Sequence, residues 1–144
     1  LFAEFAEALI GARDDIELAP ESEAVDWEAE LAVVIGASMR RASEAQPGAA
    51  IAGFSVLNDV TMRNWQYCSP EAPGKTFEAT TPLGPVLVTP DELPGGVRPA
   101  LLMTGQVDGE TVQSAEISDM AFDPITLGVR VDDPHPAIRH VPAH

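Results

Sequence analysis

Glu28 and Glu30 stand one residue apart in the run Asp26-Trp27-Glu28-Ala29-Glu30-Leu31-Ala32-Val33-Val34-Ile35-Gly36. The apolar, β-branched character of that run predicts a strand, and in a strand residues i and i+2 share a face. The two glutamates therefore project side by side, while Trp27, Ala29, Leu31, Val33 and Ile35 face the other way. A sheet that contains this strand cannot bury its glutamate face dry. Adjacent like charges repel, and partial burial makes an ionised carboxylate costly. A compensating cation resolves the conflict, and hard divalent ions such as Mg²⁺ or Mn²⁺ prefer oxygen ligands of this kind. The simpler alternative is an edge strand whose glutamates stay solvated.

Length and charge narrow the setting. A chain of 144 residues suits one domain with a real core. Eight basic residues against 23 acidic ones give a formal charge of −15. Such a surface repels nucleic acid and anionic membranes, so neither is expected as a partner. No apolar stretch approaches a membrane span, and no signal-peptide pattern opens the chain, although it begins at Leu1 rather than Met. Cys68 is the single cysteine, which forbids an intrachain disulfide and leads to the expectation of a cytoplasmic protein. An acidic protein that handles anionic substrates needs local positive charge, so the few Lys and Arg residues matter individually.

Along the chain, residues 2–10 read as a short helix or irregular lead-in stopped by Gly11, and residues 12–24, with Pro20, as a surface connection. The glutamate strand ends at Gly36, and a charged, small-residue segment follows from Ser38 to Gly48. Ala49 to Leu57 is apolar and leads into Asn58-Asp59. Thr61 to Gln66 lacks strand alternation and reads as a helical turn with Asp59 or Thr61 as cap. Leu83 to Thr89 reads as a strand, and Arg98 to Gly105 as another, joined through Asp108-Gly109 to Thr111-Val112-Gln113 as a hairpin. Ser118 is expected to cap a last helix through about Leu127. Short strands, few helices and 13 prolines predict a β-rich α+β domain. The remaining stretch, 128–144, carries all three histidines. His140 and His144 have helical ligand spacing, but Pro142 between them argues against a helix, so a disordered tail is expected.

Asp59, at the end of an apolar strand, could bring a third carboxylate to the mouth of the sheet, or simply cap a helix. Arg63 and Gln66 share one face of the expected turn, where they could hold a carboxylate and orient a carbonyl, or remain solvated. Lys75, among Gly74, Thr76 and Phe77, could stabilise a developing enolate oxygen, or be an ordinary loop lysine.

Taken in order, the run Asp26 to Gly36, the run Gly53 to Gln66, Gly74-Lys75-Thr76-Phe77 and Thr81-Pro82-Leu83-Gly84-Pro85 resemble the fumarylacetoacetate hydrolase family, in its C-terminal catalytic domain. Gly105 to Gln113 and Asp119-Met120-Ala121-Phe122 fit the hairpin and helix that follow there. The resemblance covers about residues 1–127 and implies a mixed β-sandwich or roll, incomplete because the chain is truncated at both ends. It implies Glu28, Glu30 and Asp59 as ligands of a divalent metal, Mg²⁺ foremost, with Mn²⁺ or Ca²⁺ as alternatives. It further implies Lys75 as a catalytic side chain and Arg63, Gln66 and Thr81 as substrate contacts. The implied chemistry is C–C bond hydrolysis, decarboxylation or keto–enol isomerisation of small anionic oxo-acids, in a protein whose intact relatives are homodimers. Four features depart from the family: Glu4 stands where a lysine is usual, Asn64 stands where an aspartate is commoner, and neither an upstream His/Glu pair nor a downstream Gly-Thr-Pro loop is matched. The contrasting expectation is therefore a non-catalytic remnant with at most metal binding.

Overall fold

The computed structural model describes residues 4–43, 45–69 and 73–132, and over these the chain is an α+β fold dominated by sheet, as expected. Its strands are β1 (Leu9–Gly11), β2 (Val25–Asp26), β3 (Ala29–Ile35), β4 (Ile51–Asn58), β5 (Thr61–Met62), β6 (Thr81–Leu83), β7 (Leu102–Val107) and β8 (Glu110–Glu116). The helices are α1 (Ala45–Ala50) and α2 (Pro124–Asp132). Four strands form the main sheet in the order β1-β6-β4-β3, with β1 parallel to β6 and the other pairs antiparallel. A two-residue ribbon, β2 with β5, and the β7–β8 hairpin complete the sheet structure.

The β7–β8 hairpin follows from its turn. Asp108 and Gly109 both adopt positive φ, 51° and 82°, the backbone that a tight hairpin turn requires. The apolar core is gathered around Phe54 and Ile51 of β4, with Met62, Val60, Ile117 and Ile125 also buried. One stretch is buried without interruption: Asp59, Val60, Thr61 and Met62, which carries the chain from β4 into β5. This corrects the expected helical turn. Thr61 and Met62, both fully buried, pair with Asp26 and Val25, and the turn begins only at Arg63. Burial and strand pairing outweigh a weak local helical preference here, and neither Asp59 nor Thr61 serves as a helix cap.

Other differences have similar causes. The long glutamate strand is divided into β2 and β3 by Trp27 and Glu28. The lead-in is a 3₁₀ turn at Ala6–Ala8 followed by β1, because Leu9–Gly11 finds Thr81–Leu83 as a parallel neighbour. The segment before β4 ends in α1, with Pro47 in its first turns, where a missing N–H is tolerated. The strand expected through Thr89 stops at Leu83, since Gly84 takes φ 120°; Val88 alone returns, exchanging backbone hydrogen bonds of 2.9 and 2.8 Å with Phe54. α2 continues past Leu127 to Asp132, whereas His135, His140 and His144 lie outside the described residues.

Ser118 does not cap α2 but lies in a 3₁₀ turn at Ile117–Asp119. The cap is Asp123, whose Oδ1 accepts hydrogen bonds from Ile125 N at 2.9 Å and Thr126 N at 3.0 Å, while Oδ2 meets Arg98 Nε at 3.1 Å. Pro124 occupies the first helical position, where its fixed φ fits. Asp123→Ala is expected to lower stability by about 1 kcal/mol, and Asp123→Asn by less, because the amide oxygen keeps the cap and loses only an exposed ion pair. Urea denaturation of the two variants measures the difference.

Candidate metal centre

The register of the sheet brings the three carboxylates together. β3 and β4 run antiparallel with Ala29 opposite Asn58, and Asp59 N donates to Glu28 O at 2.9 Å, so Asp59 comes to lie across from Glu28. One carboxylate oxygen from each of Glu28, Glu30 and Asp59 lies within 4.8 Å of the others. Oxygens bound to one hard divalent ion at about 2.0–2.6 Å are separated by roughly 3–5 Å, so this set fits such an ion. Asp59 is 1% exposed, and its Oδ1 has no hydrogen-bond partner among the described residues. A buried carboxylate oxygen in that condition has room for a cation or for the proton of a neighbouring acid.

Lys75 reaches the same carboxylates from another segment. It closes a 3₁₀ turn, Pro73–Lys75, which packs tightly because residue 74 is glycine: a Cβ there would lie 2.5 Å from Met62 O and 2.8 Å from Gln66 N. The ammonium is buried, with Glu28 Oε2 at 2.7 Å and Thr61 Oγ1 at 2.9 Å, and it also pairs with Asp59 Oδ2. The ordinary loop lysine that the sequence allowed is thus excluded.

Arg63 stands on the other side of Glu28. Its Nη1 meets Glu28 Oε1 at 2.7 Å and donates to Gln66 Oε1 at 3.0 Å, while Nε and Nη2 both meet Asp26 Oδ2 at 2.8 Å. The fork expected for a substrate carboxylate is therefore occupied by protein carboxylates. Thr81, in contrast, is fully buried in β6 beside Leu9 of β1, and its Oγ1 has no hydrogen-bond partner among the described residues. Beside Glu30 a cleft of about 310 Å³ opens between the sheet and the hairpin, bordered by Trp27, Asn58, Pro82 and Met103.

Two participants escaped the sequence reading. Asp26 is one; its signal is the i, i+2 relation to Glu28, the same spacing that pairs Glu28 with Glu30. Glu4 is the other, visible in sequence only as a departure. Its carboxyl is pushed up to about 7 by burial and by the charge of Asp59, with which it shares a hydrogen bond when protonated, and of Glu30. Glu30 is raised to about 7 as well, by loss of hydration around its carboxyl and by the charges of Asp59 and Glu28. Burial also pushes Glu28 up, but Lys75 and Arg63 together hold it below the usual carboxylate range. Burial disfavours the charged form of Lys75, yet Asp59 and Glu28 raise its pKa above that of a free lysine. Among the described residues, five carboxyls thus surround two cations, an excess of three negative charges when all are ionised.

Comparison with known proteins finds relatives in sequence and in fold. The mitochondrial oxaloacetate tautomerase Fahd2a of Rattus norvegicus is 40% identical over 124 residues, covering 85% of this chain and 39% of that protein. The mitochondrial oxaloacetate tautomerase FAHD2A of Bos taurus is 42% identical over 125 residues, with the same coverage. Among solved structures, the fumarylacetoacetate hydrolase of Exiguobacterium antarcticum superposes with a TM-score of 0.80 at 30% identity, covering 88% of this chain and 45% of that one. The chain therefore spans about two fifths of the length of these curated relatives. The expectation of a cytoplasmic protein is corrected by the same finding, since these relatives are mitochondrial. A single cysteine speaks for reducing surroundings and carries no address. The model of the fumarylacetoacetate hydrolase C-terminal domain matches residues 1–131, and the chain belongs to that family.

Proposed function

We propose that this chain is the metal-binding core of an enzyme acting on small 2-oxo or diketo acids, with keto–enol tautomerisation of an oxaloacetate-like acid as its reaction. The observation that carries this reading is the buried Lys75 ammonium, held against the Glu28/Glu30/Asp59 group and kept charged by its partners. The tautomerases at 40–42% identity supply the substrate class. The cleft beside Glu30 suits a small acid rather than a polymer.

A divalent ion held by Glu28, Glu30 and Asp59, Mg²⁺ foremost, would supply Lewis-acid polarisation of a chelating 2-oxo acid. The chain's own residues have separate tasks. Glu28, fixed between Arg63 and Lys75, stays ionised and oriented. Lys75 stays protonated at neutral pH, so it offers fixed positive charge and a donor to the oxygen on which charge develops, and is no base. Arg63 takes the distal carboxylate of the substrate by giving up part of its fork to Asp26, while Gln66 keeps the guanidinium in plane. A second reading, metal binding without turnover, is favoured by Glu4 at a lysine position and by the prior engagement of Arg63.

Decay of enol oxaloacetate, followed by ultraviolet absorbance at saturating Mg²⁺, separates the two. Turnover by the parent chain and a loss of about 10²-fold or more in Lys75→Met support the enzyme. Absence of turnover alongside retained metal binding supports the second reading. Without metal, Lys75→Met strands two carboxylates and is expected to cost about 3–5 kcal/mol of stability.

Metal at a hundredfold excess over Kd is expected to stabilise the fold by about 2.7 kcal/mol, and Glu30→Gln to abolish most of that gain. Calorimetry with and without Mg²⁺ or Mn²⁺ reads both. The pH dependence has a definite sign. Glu4 and Glu30 have pKa values near 7 when folded against an ordinary value of 4.5, so between those limits the folded chain holds protons that the unfolded chain lacks. Their contribution is complete below about 4.5 and is lost as pH rises through about 7. The Tm of the metal-free chain should therefore fall across this window, and saturating Mg²⁺, which competes with those protons, should flatten or reverse the slope.

A further inference from the structure

The β7–β8 hairpin hydrogen-bonds to the strand that bears Glu30 through the side chain of Gln113. β3 is the last strand of the sheet order, so its outer edge has no strand neighbour among the described residues, and a free edge exposes unpaired N–H and C=O groups. At Ala29, between the two glutamates, both groups are taken by Gln113. Ala29 N donates to Gln113 Oε1 at 2.8 Å, and Gln113 Nε2 donates to Ala29 O at 3.0 Å. The carboxamide thus stands in for one residue of a missing strand. Gln113 is also the single residue of β8 that is not exposed. Gly105, across the hairpin, leaves room for it: a Cβ there would sit 3.4 Å from Gln113 Cβ and 3.5 Å from Ala29 Cβ.

We infer that Gln113 is a positioning residue for the metal ligands, a role that rests on the metal reading of Glu28 and Glu30. The Ala29 N–H belongs to the peptide plane that links it to Glu28, and the Ala29 C=O to the plane that links it to Glu30. Holding both planes fixes the backbone torsions that set the two carboxylates relative to one another. The opposite edge is fixed already, by Asp59 N on Glu28 O at 2.9 Å and by Glu28 N on Asn58 Oδ1 at 3.3 Å. Only Gln113, among the described residues, supplies hydrogen bonds to the outer edge at this point. A ligand pair mobile about its linking torsions binds more weakly, because the ordering cost falls on the binding step.

The test is Mn²⁺ binding, read from the electron paramagnetic resonance signal of free Mn²⁺, with thermal melting recorded in parallel. Gln113→Met, which keeps the length of the side chain and removes both hydrogen bonds, is expected to weaken Mn²⁺ binding about tenfold. Gln113→Glu keeps the acceptor for Ala29 N–H and should fall between. Val112→Ala, the exposed neighbour on β8, controls for general loosening of the hairpin and should leave affinity unchanged. Parent-like affinity in Gln113→Met, or equal weakening in Val112→Ala, overturns the inference. If Gln113→Met does not fold, Gly105→Val, which crowds the path of the Gln113 side chain, takes its place with the same expected loss. Should the parent chain bind no Mn²⁺, the metal reading fails by itself. The hold of Gln113 on the Glu28–Ala29–Glu30 backbone is then decided separately by hydrogen exchange at Ala29, whose N–H it accepts: faster exchange in Gln113→Met than in Val112→Ala upholds it, and equal rates overturn it.

Discussion

The structure turns on one buried ammonium. An isolated lysine charge removed from water costs several kcal/mol, and it persists only where oxygens replace its hydration. At Lys75 those oxygens come from Glu28, Asp59 and Thr61, that is, from the entry to β3, the end of β4 and the start of β5. The requirement explains otherwise odd choices nearby. Residue 74 is glycine so that the turn bearing Lys75 can press against Met62, and the link from β4 to β5 is buried although half of its residues are polar.

A balance of charge follows. Glu28 is satisfied twice, by Lys75 and by Arg63, whereas Glu30 faces like charges and has its pKa raised. The two glutamates that look equivalent in the strand therefore do different things. One is an anchored, ionised group, and the other sits where a proton is welcome. Glu4 sharpens this by adding a further acidic group on the same side.

How much of this was legible depended on sequence distance. The nearness of Glu28 and Glu30 and the Asp108-Gly109 hairpin are local patterns that can be read directly, although Glu28 falls in the break before β3. Asp59, Lys75 and the ordered motifs were recognisable because their spacing matches a family, although their local roles were open. The structure settles Lys75 as buried and Asp59 as its partner rather than a cap. What could not be read were long-range pairings: β1 beside β6, the β2–β5 ribbon, and the Gln113 amide on Ala29. Each is made by few residues whose local preferences are weak. The last cap lies at Asp123 rather than Ser118, although an aspartate directly before a proline is itself a local cap signal.

The geometry around Lys75 has a kinetic side. Its partners lie 16 residues away at Asp59 and 47 away at Glu28, so no short piece of the chain holds the site. Closing loops of that length demands that the sheet already be in register. Unlike a metal loop contained in a dozen consecutive residues, this centre cannot nucleate folding by capturing an ion early. During synthesis these carboxylates are scattered along the chain, and only the finished fold gathers them within reach of one another.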